Sequence, residues 1–295
     1  ECLILEMKIQ AVFCNRDYTP FAIERDDDIS KVCEARSVDF ISYPDTLLHE
    51  PHEVLKNDKT PYQVFTPYYR ASKKLSVCTP LSTVVDNYSK TMPSANQFLV
   101  HPHEKFGAGE GGGRKKALRI LAHINSFKNY DQERDLPELD ATTHLSAHNK
   151  FGTVSIREVF WAIANPFNSD HTLIKELYWR DFFTQIGAHF PHVFKGAFHK
   201  KYDSLKWKNN KNQFELWCQG KTGFPIVDAG MRELKQTCYM HNRVRMIVAS
   251  FLVKDLQIDW RWGEKYFAQR LVDYDPAVNN GNWQWAASTG CDAQP

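Results

Sequence analysis

The feature that most limits the fold is a change in hydrophobic periodicity along the chain. Residues 8–14 have the pattern of a short buried strand, residues 21–37 that of a charged helix, and residues 38–43 that of a second strand. Such a β-α-β pattern predicts parallel strands. From about residue 114 onward the pattern is helical. We therefore predict an α/β part with an incomplete, Rossmann-like parallel sheet, followed by an all-α domain in a predominantly helical chain.

These patterns suggest three regions. Residues 1–70 form the α/β part, residues 71–108 a linker rich in Ser, Thr, Pro and Asn, and residues 109–295 the helical domain. One β-α-β unit is too small for a complete doubly wound domain, so we expect further strands upstream. The chain starts at Glu1 rather than at a methionine and stops just after a dense motif. We therefore expect a piece that is truncated at both ends.

Two stretches define the helical prediction. Residues 171–187 place Leu173, Leu177 and Ile186 at helical spacing, with Gly187 suited to end the helix. Residues 225–257 read as two helices that are broken near residues 237–238.

Composition excludes several protein classes. The 295 residues are 42% hydrophobic, which is enough for substantial cores, but no apolar run approaches the roughly 20 residues that cross a membrane. No secretory signal is visible, and the seven cysteines form no CxxC pair, so neither a zinc site nor a disulfide framework is indicated. The odd cysteine count suggests a reducing, intracellular compartment. With a net charge of only +2, any nucleic-acid surface must be local.

A G-x-G-x-x-G pattern occurs at Gly107, Gly109 and Gly112. A dinucleotide-binding turn requires a strand directly before it, and residues 101–106 make a poor strand. We favour a flexible loop that leads into a helix starting near Arg114.

Three further patterns allow two interpretations each. Thr142, Thr143 and Ser146 lie just before a helical stretch, where they could hold a phosphate or simply cap the helix. Two other sets each share a helix face. The first could be a salt-bridged surface or line a polar, aromatic pocket, and the second could contact a base edge or be a plain helix surface. The first set is Glu176, Trp179, Arg180 and Phe183, and the second is Asn242, Arg245 and Met246.

Residues 273–285 are the most unusual segment, with two carboxylates, three asparagines and two tryptophans. The carboxylates could bind a metal ion, but no supporting ligand cluster has the spacing for one, so we predict no metal site. We interpret the stretch as loop-rich, which leaves Trp283 and Trp285 unexplained. Six tryptophans fall in the last third of the chain, a clustering that suits core packing, a bound planar ring system or stacked bases.

In their order, these motifs resemble the photolyase/cryptochrome family, most closely its class I cyclobutane pyrimidine dimer photolyases. The resemblance covers nearly the whole chain and is densest at residues 220–232, 240–246 and 279–290. It implies an N-terminal α/β domain and a C-terminal helical domain that holds FAD. It also implies light-dependent repair of cyclobutane pyrimidine dimers, since residues 240–243 read Met-His-Asn-Arg where the (6-4) enzymes carry a His-rich sequence.

The resemblance assigns roles to individual residues. The FAD phosphates and ribityl chain would contact Tyr130, Thr142, Thr143, Leu145 and Ser146, and the flavin ring and sugar would contact Arg180, Arg245, Asp273, Asp275 and Asn279. An electron relay would run through Trp283, Trp260 and Trp207. The dimer pocket would comprise Glu176, Trp179, Asn242, Met246 and Trp285, with Arg134 and Arg243 on DNA phosphates.

The same resemblance suggests the remaining partners. The substrate would be single- or double-stranded DNA containing a dimer, the protein a monomer without membrane contact, and a second chromophore a folate or deazaflavin. Glu24 and Lys195 would be remnants of a folate antenna site. The alternatives are a cryptochrome-like blue-light receptor and an inactive remnant. We also expect the 295-residue chain alone to fold poorly and bind FAD weakly.

Overall fold

The computed structural model describes residues 1–81 and 112–293. Its N-terminal part contains two parallel strands, β1 (Ala11–Asn15) and β2 (Asp39–Tyr43), with Ala11 opposite Asp39. Helix α1 (Cys2–Met7) precedes the strands and helix α2 (Pro20–Glu34) connects them. The start of α2 is fixed by Pro20 and by the Thr19 hydroxyl, which accepts a hydrogen bond from the Ala22 backbone. The predicted β-α-β unit is confirmed.

From Arg114 onward the described chain is mainly helical, as predicted, and one further helix, α3, precedes that region. The helices are α3 (Phe65–Ser72), α4 (Arg114–Ala122), α5 (Tyr130–Glu133), α6 (Ser146–Lys150), α7 (Ile156–Phe167), α8 (Thr172–His189), α9 (Lys211–Gln219), α10 (Pro225–Thr237), α11 (Asn242–Ser250), α12 (Trp260–Ala268) and α13 (Pro276–Ala286). A π-helical turn, Phe251–Asp255, continues α11. Within residues 1–81 and 112–293, no helix has the length and apolar character needed to cross a bilayer.

One hydrophobic core joins the segment after β2 to helices α7 and α8. Leu48, Phe65 and Tyr68 are buried in the same cluster as Ile174 and Phe182 of α8. The backbone N–H of Leu48 also donates to the buried Asp181 carboxylate at 2.8 Å. Part of the region predicted to belong to the α/β domain therefore packs as a layer on the helical domain.

A second core lies among α9 to α13, and α13 contacts both cores. Trp217, Met231, Leu252 and Trp283 are fully or almost fully buried there. At Gly281 of α13, a Cβ atom would lie 2.2 Å from the Phe183 ring of α8, so a glycine is what lets these two helices approach. Helix α13 also lines the cleft described below.

Two sequence predictions are wrong. The stretch predicted as loop-rich, residues 273–285, is mostly the helix α13, because Pro276 and the Asp275 carboxylate start it and core packing stabilises its asparagine-rich body. Gly187 does not end α8, which continues to His189. Its missing side chain instead makes room for Phe194 and Ala277.

Other predictions agree in part or fall elsewhere. The helix start at Arg114 and the break after Thr237 are confirmed. Residues 82–108 of the predicted linker, with Gly107 and Gly109 of the glycine pattern, lie outside the described residues.

Candidate functional site

A cleft opens between α11, α13 and the turn that precedes α13. Its cavity volume is about 110 Å³. The lining combines charged and amide side chains with aromatic and apolar ones: Asn242, Arg245, Met246, Ala249, Phe267, Leu271, Asp273, Tyr274, Asp275, Val278, Asn279, Asn282, Trp283, Trp285 and Ala286. Eight residues that the sequence marked as functional thus meet in one place, although they come from two helices and the turn before α13.

A buried ion pair forms one wall of the cleft. Both terminal nitrogens of Arg245 donate to the Asp273 carboxylate, at 3.1 and 2.8 Å, and its Nε donates to the Met240 carbonyl at 2.7 Å. The guanidinium also lies 5.4 Å from the centre of the Tyr239 ring. With the Asp273 side chain only 3% exposed, this fork geometry fixes a cation at the cleft with little freedom to move.

Asp275 has two structural tasks at the start of α13. One carboxylate oxygen accepts hydrogen bonds from the backbone of Ala277 and Val278, both at 3.1 Å, and so caps the helix. The other oxygen accepts from Lys150 at 3.0 Å. This second contact brings α6 against the cleft. The segment predicted to hold phosphates therefore adjoins the segment predicted to hold the ring system.

An unsatisfied acceptor in α6 indicates room for a ligand with hydrogen-bond donors. Asn149 Oδ1 is buried and has no hydrogen-bond partner among the described residues. Thr142 lies beside the Tyr239 hydroxyl, Thr143 accepts from the Leu145 backbone, and Ser146 begins α6. A buried acceptor without a donor is costly unless a ligand or water supplies one. Ribityl and ribose hydroxyls are donors of that kind, so these residues fit an FAD.

Glu264 orients Asn279, and sequence inspection missed it. The Asn279 side-chain nitrogen donates to the Glu264 carboxylate at 2.9 Å and to its backbone carbonyl at 3.2 Å. Because the amide nitrogen makes both contacts, the oxygen is the side-chain atom of Asn279 that remains available to a ligand among the described residues. Burial raises the pKa of Glu264, while the Asn279 hydrogen bond lowers it. Glu264 carries no motif of its own, and only the packing of α12 against α13 identifies it.

Asn242, Met246 and Trp285 line the cleft where it meets solvent, since Asn242 is exposed and the other two are half-buried. The Met246 sulfur accepts from Arg243 at 3.4 Å and lies 4.0 Å from the Asn242 amide nitrogen. This mixture of an amide, a thioether and an indole suits a flat ligand with polar edges.

A row of alternating charges lies beside this opening. Arg134 donates to the Glu176 carboxylate, and Arg243 donates to Asp135 from two nitrogens, at 3.1 and 2.7 Å. Burial raises the pKa of Glu176, although Arg134 counteracts the shift. Burial and the neighbouring Glu176 also raise the pKa of Tyr130.

Some predicted site residues lie elsewhere in the structure. Trp179 stacks on Phe65 with ring centres 3.5 Å apart, inside the first core. Arg180 donates to the Thr46 carbonyl and lies 3.5 Å from Asp181, so it contacts the segment after β2. Neither residue lines the cleft. Glu24 and Lys195, predicted as antenna contacts, are both exposed.

The three tryptophans predicted as a relay belong to the second core. Trp283 and Trp260 are 2% and 3% exposed, and the half-buried Trp207 packs against the same cluster. Trp283 lines the cleft, and the relay through Trp260 and Trp207 remains a prediction. Among the described residues, no cluster of His, Cys, Asp and Glu side chains has the arrangement of a metal site.

Comparisons with known proteins cover both halves of the chain. Residues 2–85 match the family described as DNA photolyase, and residues 173–295 match the FAD binding domain of DNA photolyase. The deoxyribodipyrimidine photo-lyase of Alkalihalophilus pseudofirmus is 39% identical over 306 residues, which cover 98% of this chain and 63% of that protein.

Solved structures agree with these matches. A bacterial class III photolyase from Agrobacterium tumefaciens superposes with a TM-score of 0.88 at 36% identity, over 99% of this chain and 64% of that one. A Synechocystis cryptochrome gives 0.82 at 27% identity, over 99% and 65%. The chain thus spans slightly under two thirds of the length of these three relatives.

Proposed function

The chain belongs to the DNA photolyase family, and from this membership we propose that it takes part in light-dependent repair of cyclobutane pyrimidine dimers in DNA, with FAD as its cofactor. The observation that carries the proposal is the shared cleft. Residues expected to contact the flavin, such as Arg245 and Asn279, line the same cavity as Asn242 and Met246, which are expected to contact the dimer.

Bound FAD would supply the light-driven electron transfer, and the protein's part is to bind, orient and shield. Arg245, held by Asp273, provides a guanidinium in a fixed orientation beside the ring system. Asn279 presents a hydrogen-bond acceptor, because Glu264 engages both of its amide hydrogens. Thr142, Thr143, Ser146 and Tyr130 would contact the phosphates and ribityl chain.

The dimer would enter the open side of the cleft. Enzymes that act on a base, photolyases among them, extrude it from the duplex, and damaged bases cost less to unstack. Trp285 offers an aromatic wall, and Asn242 offers both a donor and an acceptor to the polar edge of a pyrimidine. Glu176 would hydrogen-bond the polar edge of the dimer, and burial raises the pKa of its carboxylate.

Further parts of the proposal rest on the family resemblance. They are the division into residues 1–70, 71–108 and 109–295, a folate or deazaflavin antenna that uses Glu24 and Lys195, a monomeric state and a location wherever genomic DNA resides. We keep Trp179 and Arg180 as predicted contacts of dimer and flavin, which would require their side chains to reach the cleft.

A blue-light receptor is the second candidate, supported by the superposition on the Synechocystis cryptochrome. Both candidates need the flavin side of the cleft, but only repair needs the dimer side. The double variant Asn242→Ala, Met246→Ala should therefore abolish repair. It should leave flavin photochemistry unchanged whether the chain is a repair enzyme or a receptor.

The direct test is repair of an oligonucleotide that contains one thymine cyclobutane dimer. The chain would be incubated with FAD and reductant under blue light, with a dark control and an undamaged oligonucleotide. Light-dependent recovery of intact thymines would support the proposal. Flavin binding without repair would favour the receptor, and absence of both would favour an inactive remnant.

A further inference from the structure

We propose that the ion pair between Arg134 and Glu176 couples the dimer pocket to the DNA backbone. When a bound dimer hydrogen-bonds the Glu176 carboxylate, the ion pair breaks and Arg134 becomes free to bind a DNA phosphate. The inference deepens the proposed function and rests on it. It concerns discrimination between damaged and undamaged DNA rather than the chemical step.

The observation is that both arginines expected to contact phosphates are already neutralised by carboxylates. Arg134 of the turn after α5 donates to Glu176 of α8, and Arg243 of α11 donates to Asp135. Arg134 also lies 4.0 Å from Asp135, which makes the four residues one continuous row. The arginine side chains are 32% and 34% exposed, so both can reach a ligand from solvent.

The two carboxylates differ in their surroundings. The Glu176 side chain is 33% exposed and that of Asp135 is 50% exposed. Glu176 is the carboxylate expected to face the dimer, and burial already works against its charge. Asp135 follows Arg134 in the chain and has no expected contact with a base. Therefore only the ion pair between Arg134 and Glu176 includes a carboxylate that a bound dimer would draw away from its arginine.

This difference creates a thermodynamic link. Undamaged DNA places no base in the pocket, so Glu176 keeps Arg134 and one phosphate contact is weakened. A dimer that hydrogen-bonds Glu176 draws it from Arg134, and the freed guanidinium strengthens the backbone contact. Such coupling is reciprocal, so a phosphate that binds Arg134 also makes Glu176 more available to the dimer.

The test compares two variants that each remove one negative charge, Glu176→Gln and Asp135→Asn. Binding of the FAD-loaded chain to fluorescent oligonucleotides, damaged and undamaged but of equal sequence, would be measured in the dark at several salt concentrations. Each additional phosphate contact steepens the dependence of log K on log salt by about 0.9 for duplex DNA. In the unmodified chain we expect the damaged oligonucleotide to show the steeper slope by about this amount.

Glu176→Gln should steepen the slope for undamaged DNA by the same amount and strengthen its binding roughly two- to fivefold, as release of a part-exposed ion pair allows. The slope for damaged DNA should not change, so discrimination falls. Asp135→Asn frees Arg243 for both ligands, so both affinities should rise by an equal factor and discrimination should persist.

Two outcomes would overturn the inference while leaving the repair proposal intact. One is an unmodified chain that prefers damaged DNA but has equal salt slopes for both ligands. The other is that Glu176→Gln, like Asp135→Asn, raises the affinities for damaged and undamaged DNA by an equal factor. If the unmodified chain does not prefer damaged DNA at all, the proposed function itself fails.

Discussion

At the scale of single residues, the orientation of the Asn279 amide determines what the cleft offers a ligand. Glu264 accepts both amide hydrogens, through its carboxylate and its backbone carbonyl. We predict that Glu264→Leu, which removes the carboxylate, frees the amide to turn its N–H groups towards the cleft. An acceptor stabilises a protonated ring nitrogen and a donor does not, so the reduction potential of bound flavin should fall.

Spectroelectrochemical titration of the flavin-loaded variant measures this change. Glu264→Gln is the matched control, because its side-chain oxygen can accept the same hydrogen bond and should keep the potential near that of the unmodified chain. Equal potentials in the Leu and Gln variants would show that Glu264 does not set the orientation of Asn279.

At the scale of elements, α13 depends on the Asp275 cap. We predict that Asp275→Ala destabilises the protein by about 0.5–2 kcal/mol, the usual cost of losing an N-cap, because two backbone N–H groups lose their acceptor. Asp275→Asn keeps a capping oxygen but loses the ion pair with Lys150, so it isolates the cap. Thermal unfolding should place the melting temperature of the Asn variant above that of the Ala variant, and the reverse order would exclude the cap as the main contribution.

Helix α8 carries a buried carboxylate that should make stability depend on pH. Burial raises the pKa of Asp181 to about 7 from 3.8, against the opposing effects of Arg180 and of hydrogen bonds from the backbone of Leu48 and His49. The folded state therefore binds the proton more tightly than the unfolded state. The stability that protonated Asp181 contributes is fully present below about pH 4 and is lost as pH rises through about 7. The loss is at most roughly 4 kcal/mol, at 1.36 kcal/mol per pKa unit.

Asp181→Asn should remove this dependence. Relative to the unmodified chain, the variant should gain stability between pH 5 and pH 8, as urea unfolding at the two pH values would measure. Asp131→Asn, at an exposed position of α5, is the control and should keep the original dependence. If Asp181→Asn keeps the same pH dependence as the unmodified chain, Asp181 is not the group responsible.

The same elements show what the sequence could predict. The β-α-β unit and the long helix α8 follow from local periodicity, and most of the cleft residues follow from the family motifs. Helix α13 was missed because asparagines and Gly281 are poor helix formers, and the packing of Phe183 against Gly281 compensates only in the folded protein. The pairs Glu264–Asn279 and Arg134–Glu176 join residues 15 and 42 positions apart. No local pattern encodes contacts of that kind.

At the scale of the whole molecule, burial is distributed unevenly. The buried cluster around β1, α2 and β2 consists of Ile4, Cys33 and Val38, whereas the other two clusters of described residues are far larger. Phe13, Phe21 and Tyr43 in this part are 61%, 75% and 52% exposed. The free energy of local unfolding increases with the apolar area that a unit buries. Residues 1–43 bury little, so they should unfold separately from the rest of the 295-residue chain.

Native-state hydrogen exchange tests this expectation. Amides of α2 and of the two strands should exchange roughly tenfold or more faster than those of α8 and α13. Helix α3 is the internal control, because it follows the N-terminal unit in sequence but packs in the first core through Phe65 and Tyr68. Its amides should be as protected as those of α8. Uniform protection from α2 to α13 would mean that the N-terminal unit opens only with the whole molecule, and packing area would then not explain its stability.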